Sequence, residues 1–431
     1  DWSSDVCSSD LVPVPSLRVA SHRFRPPLPA WRMMGGGVAL APRLPRCYAG
    51  RAMRSSPSPN GSPSPLARPP RRERWQRELA DALTDPAELA RRFGVDGDAI
   101  ARVARVFPLR ISRYYLSLVE RPGDPIWRQC VPDPAELADA GELMRDPLGE
   151  ESSSPVPNLV HRYPDHCLLL VSGTCATHCR FCTRKRAFAD GGCGRLGGGN
   201  LASAFRYIAS HREIRDVLVS GGDPLLLEDD ALDVILRRLR AIPHLEIIRI
   251  GSRAPCTLPS RVTPRLARML RRHHPLYLNL HFNHPRELTD ASRKALARLA
   301  DAGIPLSSQT VLLRGVNDSP AVLKELFEGL LAARVRPYYL FQCDLVFGTE
   351  HFRTKLAEGP AMLRALRGHT SGMAIPHFGL DLPGGGGKVA LTESPLVKQK
   401  GLILSFRNFA GKVFDYPDAE NEAAAPRAAE E

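Results

Sequence analysis

Short apolar runs alternate with amphipathic helical stretches from about residue 160 onward. The runs have the length of buried strands, and helical stretches of ten or more residues separate them. The predicted strands are residues 167–171, 216–220, 247–252, 276–282, 305–313 and 337–343. Continuous apolar strands separated by helices are typical of parallel strands that helices cover on their outer face. Six such units predict an incomplete (β/α)6 barrel, which would hold its ligands at the carboxyl ends of the strands.

A helical region precedes the predicted barrel. Trp75, Leu79 and Leu83 recur at helical spacing, and the pair Asp85-Pro86 is typical of a helix start. We therefore expect a helical region at residues 73–155, a barrel core at 156–390 and a carboxyl-terminal segment at 391–417. Residues 1–72 are rich in Pro and Ser, so we expect a disordered or non-native extension there, with an Arg-rich targeting peptide as the alternative. The acidic, Ala-rich residues 418–431 are also expected to be disordered.

Composition and charge narrow the class of protein. No run approaches eighteen apolar residues, so no membrane-spanning helix is predicted. The formal net charge of +13 would suit a nucleic-acid-binding protein, but the nine Arg and three Asp of residues 1–70 supply +6 of it. We therefore expect neither a membrane nor a nucleic acid as partner. The ten cysteines, three of them within eight residues, indicate a metal cluster, a reducing compartment and hence a cytoplasmic location.

Three cysteines follow the first predicted strand. Cys175, Cys179 and Cys182 have the spacing C-x3-C-x2-C. Three thiolates on a four-iron cluster leave one iron open to a chelating molecule, whereas a structural zinc ion closes its shell with a fourth side chain. His178 is the candidate fourth ligand of such a zinc site, and the spacing alone leaves that alternative open. The position at the end of a barrel strand favours the open cluster.

Two glycine-rich segments indicate further ligand contacts. The segment Ser-Gly-Gly-Asp-Pro at 220–224 follows the second predicted strand, where glycine would let the backbone approach a ligand closely, although the same residues also suit a plain turn. Four glycines at 384–387 precede Lys388. They do not form a phosphate-binding P-loop, because Val389 and Ala390 follow the lysine in a strand-like run. A loop organised by a ligand and a flexible surface loop are the two remaining interpretations.

The cysteine loop and the Gly-Gly segment resemble the signature of the radical S-adenosylmethionine (SAM) superfamily. From Phe107 to about Tyr416, the chain further resembles the lysine 2,3-aminomutase family. The resemblance covers HRYP at 161–164, CRFCTRKR at 179–186, RIGSR at 249–253, NLHFNHP at 279–285, QTVLLRGVND at 309–318, QCD at 342–344 and LRGHTSG at 366–372. It implies an incomplete radical SAM barrel and a pyridoxal-phosphate-dependent isomerase.

The resemblance also implies the chemistry of the site. Cys175, Cys179 and Cys182 correspond to the ligands of a [4Fe-4S] cluster, whose open iron binds SAM and whose electron releases a 5'-deoxyadenosyl radical. Lys388 corresponds to the catalytic lysine that binds pyridoxal phosphate as a Schiff base. The radical removes a β-hydrogen, and the amino group then moves from C2 to C3, which converts lysine to β-lysine.

Further site residues follow from the same resemblance. The implied cofactor and SAM contacts are Arg162, Tyr163, Gly221, Gly222, Asp223, Asn279, His281 and Gln309. Arg184 lies where the family's arginine binds the substrate carboxylate. Asp344 and Asp381 match the carboxylates that meet the distal ammonium in lysine-specific members, and two buried carboxylates suit a cationic substrate.

The chain departs from the family pattern in two places. Zinc-bearing members have a cysteine after the Gly-Val-Asn-Asp turn and a cysteine-rich tail, whereas here Ser319 follows the turn and no cysteine follows Cys343. We therefore expect no structural zinc. Phe181 stands where zinc-bearing lysine enzymes carry a histidine. The resemblance implies an amino acid as substrate and an electron donor such as flavodoxin or ferredoxin, and a homodimer through surfaces without zinc stays open.

The sequence leaves three alternative functions. The first is conversion of free lysine to β-lysine. The second is the same chemistry in the related enzyme that serves modification of an elongation factor, or on another amino acid. The third is a metal-cluster protein that binds nucleic acid, which would bind in a steeply salt-dependent manner and would lack pyridoxal absorbance.

Overall fold

Five helices open the described part of the chain. The structure is a computed structural model that describes residues 72–138, 141, 143–189, 201–392 and 394–419. Residues 1–71 and 420–431, on which most of the two disorder predictions fall, lie outside the described residues. The helices are α1 (Arg74–Ala80), α2 (Pro86–Phe93), α3 (Gly97–Val106), α4 (Arg113–Leu116) and α5 (Pro125–Cys130). Asp85, Asp96 and Asp124 accept backbone N–H bonds at the starts of α2, α3 and α5, which satisfies donors that a helix start leaves free.

A nine-stranded sheet follows, and its spatial order is its chain order. The strands are β1 (Leu159–Tyr163), β2 (His166–Ser172), β3 (Asp216–Gly221), β4 (Ile247–Ser252), β5 (Leu276–His281), β6 (Leu306–Leu312), β7 (Arg336–Gln342), β8 (His377–Leu382) and β9 (Gly387–Ala390). Strands β2 to β8 are parallel, and β1 and β9 pair antiparallel at the two edges. The six predicted strands are confirmed as β2 to β7, and the predicted incomplete barrel is confirmed with three further strands.

Helices cover the outer face of this sheet. After β2, the chain forms α6 (Lys185–Ala189), α7 (Ala202–Ser210), α8 (Asp229–Arg240), α9 (Ala254–Thr257), α10 (Pro264–Arg271), α11 (Asp290–Asp301), α12 (Pro320–Ala332) and α13 (Glu358–Leu366). Val217, Val219, Ile248 and Ile250 are fully buried in one core with Leu236 of α8. Because successive strand residues point to opposite faces, the residues between them face the barrel interior. Within the described residues, no helix is long and apolar enough to span a membrane.

A second, smaller sheet ends the described chain. Its antiparallel strands are β10 (Leu396–Lys400), β11 (Ile403–Arg407) and β12 (Val413–Pro417). Phe406 pairs with Phe414, and Leu404 pairs with Tyr416, so the four side chains share one face. Phe414 and Tyr416 are 56% and 62% exposed. This apolar sheet face is therefore largely open to solvent.

The end of β3 packs tightly against the end of β2. Gly221 has a φ of +129°, and a Cβ on it would lie 2.3 Å from the carbonyl oxygen of Ser172. A Cβ on Gly222 would lie 2.6 Å from the carbonyl oxygen of Thr174. The two glycines therefore bring β3 against the backbone that leads into Cys175. From the sequence we expected these glycines to let the backbone approach a ligand. The structure shows that they also allow this close contact between β3 and the backbone after β2.

Replacing Gly221 by Ala tests this contact. We expect a loss of roughly 1–3 kcal/mol in stability, because the new methyl group meets backbone and the φ is unfavourable for Ala. Gly251→Ala is the matched control, since a Cβ there meets its nearest neighbour at 3.8 Å. Thermal unfolding followed by circular dichroism should show a clear fall in Tm for the first variant and little change for the second. Equal Tm values would contradict the packing argument.

Candidate active site

One cavity of about 870 Å³ lies inside the barrel. Every residue that the sequence predicts to bind the cluster, the cofactors or the substrate lines this cavity. They are Arg162, Tyr163, Cys175, Cys179, Cys182, Arg184, Gly221, Gly222, Asp223, Asn279, His281, Gln309, Asp344, Asp381 and Lys388. The chain thus brings together residues more than two hundred positions apart.

Alternate residues of the strands supply the walls of the cavity. Asn279 and His281 of β5, Gln309 of β6 and Tyr339 and Phe341 of β7 all face inward. Pairing of His281 with Gln309 places these two at the same level of the sheet. Burial lowers the pKa of His281 to about 3, so its imidazole is neutral, and its Nε2 lies 3.0 Å from Asn283 Oδ1. Asn279 accepts a hydrogen bond from Ser307, while its Nδ2 is buried without a partner among the described residues.

The three cysteines border the cavity on the loop after β2. Burial raises the pKa of Cys175 well above its usual value and that of Cys182 to about 11, so a cation or metal is needed to hold them as thiolates. Among the described residues, no three His, Cys, Asp or Glu side chains converge on one ion position. A four-iron cluster is several atoms across, so its thiolates need no such convergence.

Buried cations hold the cysteine loop in place. Arg180 donates to both carboxylate oxygens of Glu136, at 2.9 and 2.6 Å, and Lys185 lies 2.6 Å from the same carboxylate. Burial lowers the pKa of Lys185 to about 8. His178, the candidate zinc ligand, has its Nδ1 2.9 Å from the carbonyl oxygen of Pro108. These contacts tie the loop to the segments that follow α3 and α5.

A buried arginine contacts one of the cysteines. Arg253, directly after β4, donates from Nη1 to Cys179 Sγ at 2.8 Å. Its Nη2 lies 2.8 Å from Glu287 Oε1 and 2.6 Å from Gln129 Oε1. Asp223 accepts from Ser252 and from the backbone of Arg253, at 2.8 and 2.9 Å. The carboxylate of Asp223 therefore positions the loop that carries Arg253.

Arg184 is already paired with a carboxylate. It donates to Glu150 from Nε at 3.0 Å and from Nη2 at 2.7 Å. Its Nη1 lies 3.5 Å from both Ser220 Oγ and the carbonyl oxygen of Gly221. Burial raises the pKa of Glu150, but Arg184 and Arg186 lower it by more than burial raises it. The pKa of Glu150 therefore lies below its usual value. Only the Nη1 side of Arg184 therefore remains for a ligand at the end of β3.

Lys388 forms an ion pair across the β8–β9 hairpin. Its Nζ lies 2.8 and 2.7 Å from the two carboxylate oxygens of Asp381, its register partner. The same Nζ lies 4.0 Å from the centre of the Phe341 ring. The backbone N–H of Lys388 donates to the hydroxyl of Tyr163 at 2.9 Å, which connects β9 to the other edge strand, β1. The amine is thus held in one position within the cavity.

Asp344 lies directly after β7 and, unlike Asp381, is not paired with a cation in the described part of the chain. Its carboxylate has no ion-pair or hydrogen-bond partner among the described residues. Burial, with help from the charge of Asp381, raises the pKa of Asp344 to about 7. A nearby cation would therefore bind this carboxylate and stabilise its ionised form.

The glycine-rich loop at 384–387, here called the glycine cradle, lies directly before Lys388. Gly384, Gly385 and Gly387 have positive φ values of 68°, 85° and 82°. The backbone N–H of Gly384 donates to the carbonyl oxygen of Pro147 at 2.8 Å, so the loop is anchored. Arg162 donates to the carbonyl oxygen of Leu148, while its Nε is buried without a partner among the described residues. A spare guanidinium donor beside such a cradle fits an anionic group such as a phosphate.

The structure also identifies residues that sequence reasoning missed. Glu136 and Glu150 lie before the barrel, and Glu287 lies after β5, yet all three neutralise cations around the cavity. Nothing in their local sequence distinguishes them from surface glutamates. Arg253 ends the segment RIGSR at 249–253, which carries the family resemblance but does not by itself indicate a role for this arginine.

Comparisons with known proteins identify relatives of this chain. A family model described as lysine-2,3-aminomutase matches residues 363–431, and one described as the radical SAM superfamily matches residues 169–326. An L-lysine 2,3-aminomutase of Fusobacterium nucleatum is 47% identical and covers 76% of this chain and 78% of its own length. One of Clostridium subterminale is 44% identical and covers 80% and 84%. A glutamate 2,3-aminomutase of Clostridioides difficile is 40% identical and covers 80% and 82%.

These matches confirm the resemblance that the motifs predicted. They span most of this chain and most of each relative, so they apply to the barrel as a whole. The chain therefore belongs to the lysine 2,3-aminomutase family, isomerases of the radical SAM superfamily that use a [4Fe-4S] cluster, SAM and pyridoxal phosphate.

Proposed function

We propose that this protein converts L-lysine to β-lysine by moving the amino group from C2 to C3. The observation that carries the choice of substrate is Asp344, a half-buried carboxylate with a raised pKa that lines the same cavity as Asp381. Two carboxylates that line one cavity repel each other, and a cation between them would stabilise both. The distal ammonium of lysine supplies such a charge, and an acidic side chain would increase the repulsion.

The residues present fit the three cofactors of the family. Cys175, Cys179 and Cys182 would hold the cluster, and Lys388 would hold pyridoxal phosphate, with its phosphate at Arg162 and the glycine cradle. When bound, the cluster and SAM supply a radical that removes a β-hydrogen, and pyridoxal phosphate supplies the carbon that carries the amino group during migration.

The protein's own side chains bind and orient the substrate. The free Nη1 side of Arg184 would bind the substrate carboxylate, and Asp344 the distal ammonium. Asp381 is paired with Lys388 in this structure, so the substrate ammonium would compete with Lys388 for the same carboxylate. Aromatic walls at Tyr339 and Phe341 exclude water, which protects a radical reaction from side reactions.

A different amino acid is the second candidate substrate. The 40%-identical relative named as a glutamate 2,3-aminomutase supports this alternative. Asp344 and Asp381 argue against glutamate, because its side-chain carboxylate would be a third negative charge beside them. Nothing specific in the structure favours the elongation-factor alternative or nucleic-acid binding.

The partners and location are part of the same proposal. We propose a one-electron donor of the flavodoxin or ferredoxin class, since the cluster must be reduced before it can cleave SAM. The exposed apolar face of β10–β12 supports a homodimer. A cytoplasmic location follows from the need to keep the cluster reduced.

Product analysis tests the proposed reaction directly. Reconstituted, reduced protein with SAM should form β-lysine from L-lysine and little or no β-amino acid from glutamate, arginine or alanine. Chromatography after derivatisation separates the products. Preferential formation of β-glutamate would contradict the role given to the two carboxylates.

Borohydride trapping tests the role of Lys388. Reduction of the pyridoxal-phosphate-loaded protein should attach the cofactor to Lys388, and Lys388→Arg should abolish the attachment, as peptide mass spectrometry would show. Lys185 serves as an internal control, because it is a second amine at this cavity but is held by Glu136 and two backbone carbonyls. A label on Lys185 would overturn the assignment.

The pH dependence of lysine use tests Asp344. Protonation neutralises this carboxylate, so kcat/KM for lysine should fall about tenfold per pH unit as the pH drops below about 7. Asp344→Asn should lower kcat/KM by about 10- to 100-fold at pH 8 and should remove this acidic limb. An unchanged acidic limb in the variant would show that another group titrates there.

A further inference from the structure

The contact between Arg253 and Cys179 links a buried cation to one cysteine of the proposed cluster. Arg253 is 8% exposed, and its Nη1 donates to Cys179 Sγ at 2.8 Å. The ring of Phe181 covers the guanidinium at 5.2 Å, which further excludes water from the contact.

Three other elements hold the guanidinium in this orientation. Nη2 donates to the hydroxyl of Tyr115 in α4 at 3.0 Å, to Gln129 in α5 at 2.6 Å and to Glu287 after β5 at 2.8 Å. Glu287 in turn accepts from the hydroxyl of Tyr115 at 2.6 Å and from the backbone of Asn283 at 2.6 Å. The side chain is thus fixed from both the helical region and the barrel.

One donor of Arg253 remains unused. Its Nε is buried and has no hydrogen-bond partner among the described residues. A buried guanidinium donor without an acceptor is costly, so an acceptor is expected to arrive with a bound group. A group bound in the cavity, such as an iron-sulfur cluster with its inorganic sulfides, would supply such an acceptor.

We propose that Arg253 sets the reduction potential of the iron-sulfur cluster through its hydrogen bond to Cys179. The inference rests on the cluster assignment of the proposed function. Arg253 acts through Cys179 and is therefore a positioning residue rather than a catalytic one.

The direction of the effect follows from electrostatics. When the cluster accepts one electron from a donor, its negative charge rises by one, and part of that charge resides on the cysteine sulfurs. A charged N–H donor at the sulfur stabilises the reduced form more than the oxidised form, which raises the potential. Glu287 offsets part of the positive charge of Arg253, so the directed hydrogen bond carries the larger share of the effect.

The midpoint potential of the cluster in Arg253→Lys tests this proposal. Redox titration of the reconstituted protein, followed by electron paramagnetic resonance of the reduced cluster, gives the potential without any turnover. At a fixed solution potential, we expect the oxidised-to-reduced ratio to rise about tenfold in the variant, which corresponds to about 59 mV for one electron. Iron content should stay at the level of the unaltered protein.

Tyr115→Phe is the matched control. It removes one of the three partners of Nη2, while Gln129 and Glu287 still hold the guanidinium against the sulfur, so its potential should equal that of the unaltered protein. If Arg253→Lys fails to fold, the double variant Arg253→Met with Glu287→Gln replaces both members of the ion pair and leaves no unpaired charge. Its potential should fall in the same direction.

The results of these experiments distinguish the role of Arg253 from the assignment of the cluster. An unaltered potential in an Arg253 variant that retains its cluster would overturn the inference and leave the proposed function intact. Loss of the cluster in both Arg253 variants, with retention in Tyr115→Phe, would also overturn it, since Arg253 would then serve cluster retention. Absence of a four-iron cluster in the unaltered protein would instead refute the proposed function.

Discussion

Neutralisation of buried charge is the constraint on which the rest of this structure depends. The barrel encloses many ionic groups, and removing an unpaired charge from water costs several kcal/mol. Four pairings meet this cost: Glu136 with Arg180 and Lys185, Glu150 with Arg184, Glu287 with Arg253, and Asp381 with Lys388. Asp344 has no such partner in the described structure. In the proposed function, the distal ammonium of lysine supplies that cation.

The helical region before the barrel contributes to the site as well as to the fold. Tyr115, Gln129 and Glu136 come from this region, and all three contact the arginines that surround the cysteine loop. On the barrel side, Gly221 and Gly222 hold the end of β3 against the backbone before Cys175. The cysteine loop is thus supported from both sides before any cofactor binds.

The sequence predicted the barrel strands because their apolar runs are long enough to be recognised. Strand β8 was not predicted, because its sequence HFGLDL interrupts the apolar pattern with His377, Gly379 and Asp381. The cysteine spacing and the polar residues at strand ends identified the cavity, since parallel strands bring these ends together. The ion pairs of Arg184 and Arg253 could not be predicted, because their members lie far apart in the chain: Arg184 is 34 residues from Glu150, and Arg253 is 34 from Glu287. Such pairs depend on the packing of whole elements, which no local pattern encodes.

The proton balance of lysine binding tests the central claim most directly. Asp344, with a pKa near 7, is about half protonated at pH 7, and an ammonium beside it would drive that proton off. Calorimetric titration of lysine in buffers of different ionisation enthalpy measures the protons released. We expect the unaltered protein to release more protons per site at pH 7 than Asp344→Asn does. Equal release by the two proteins would contradict this expectation.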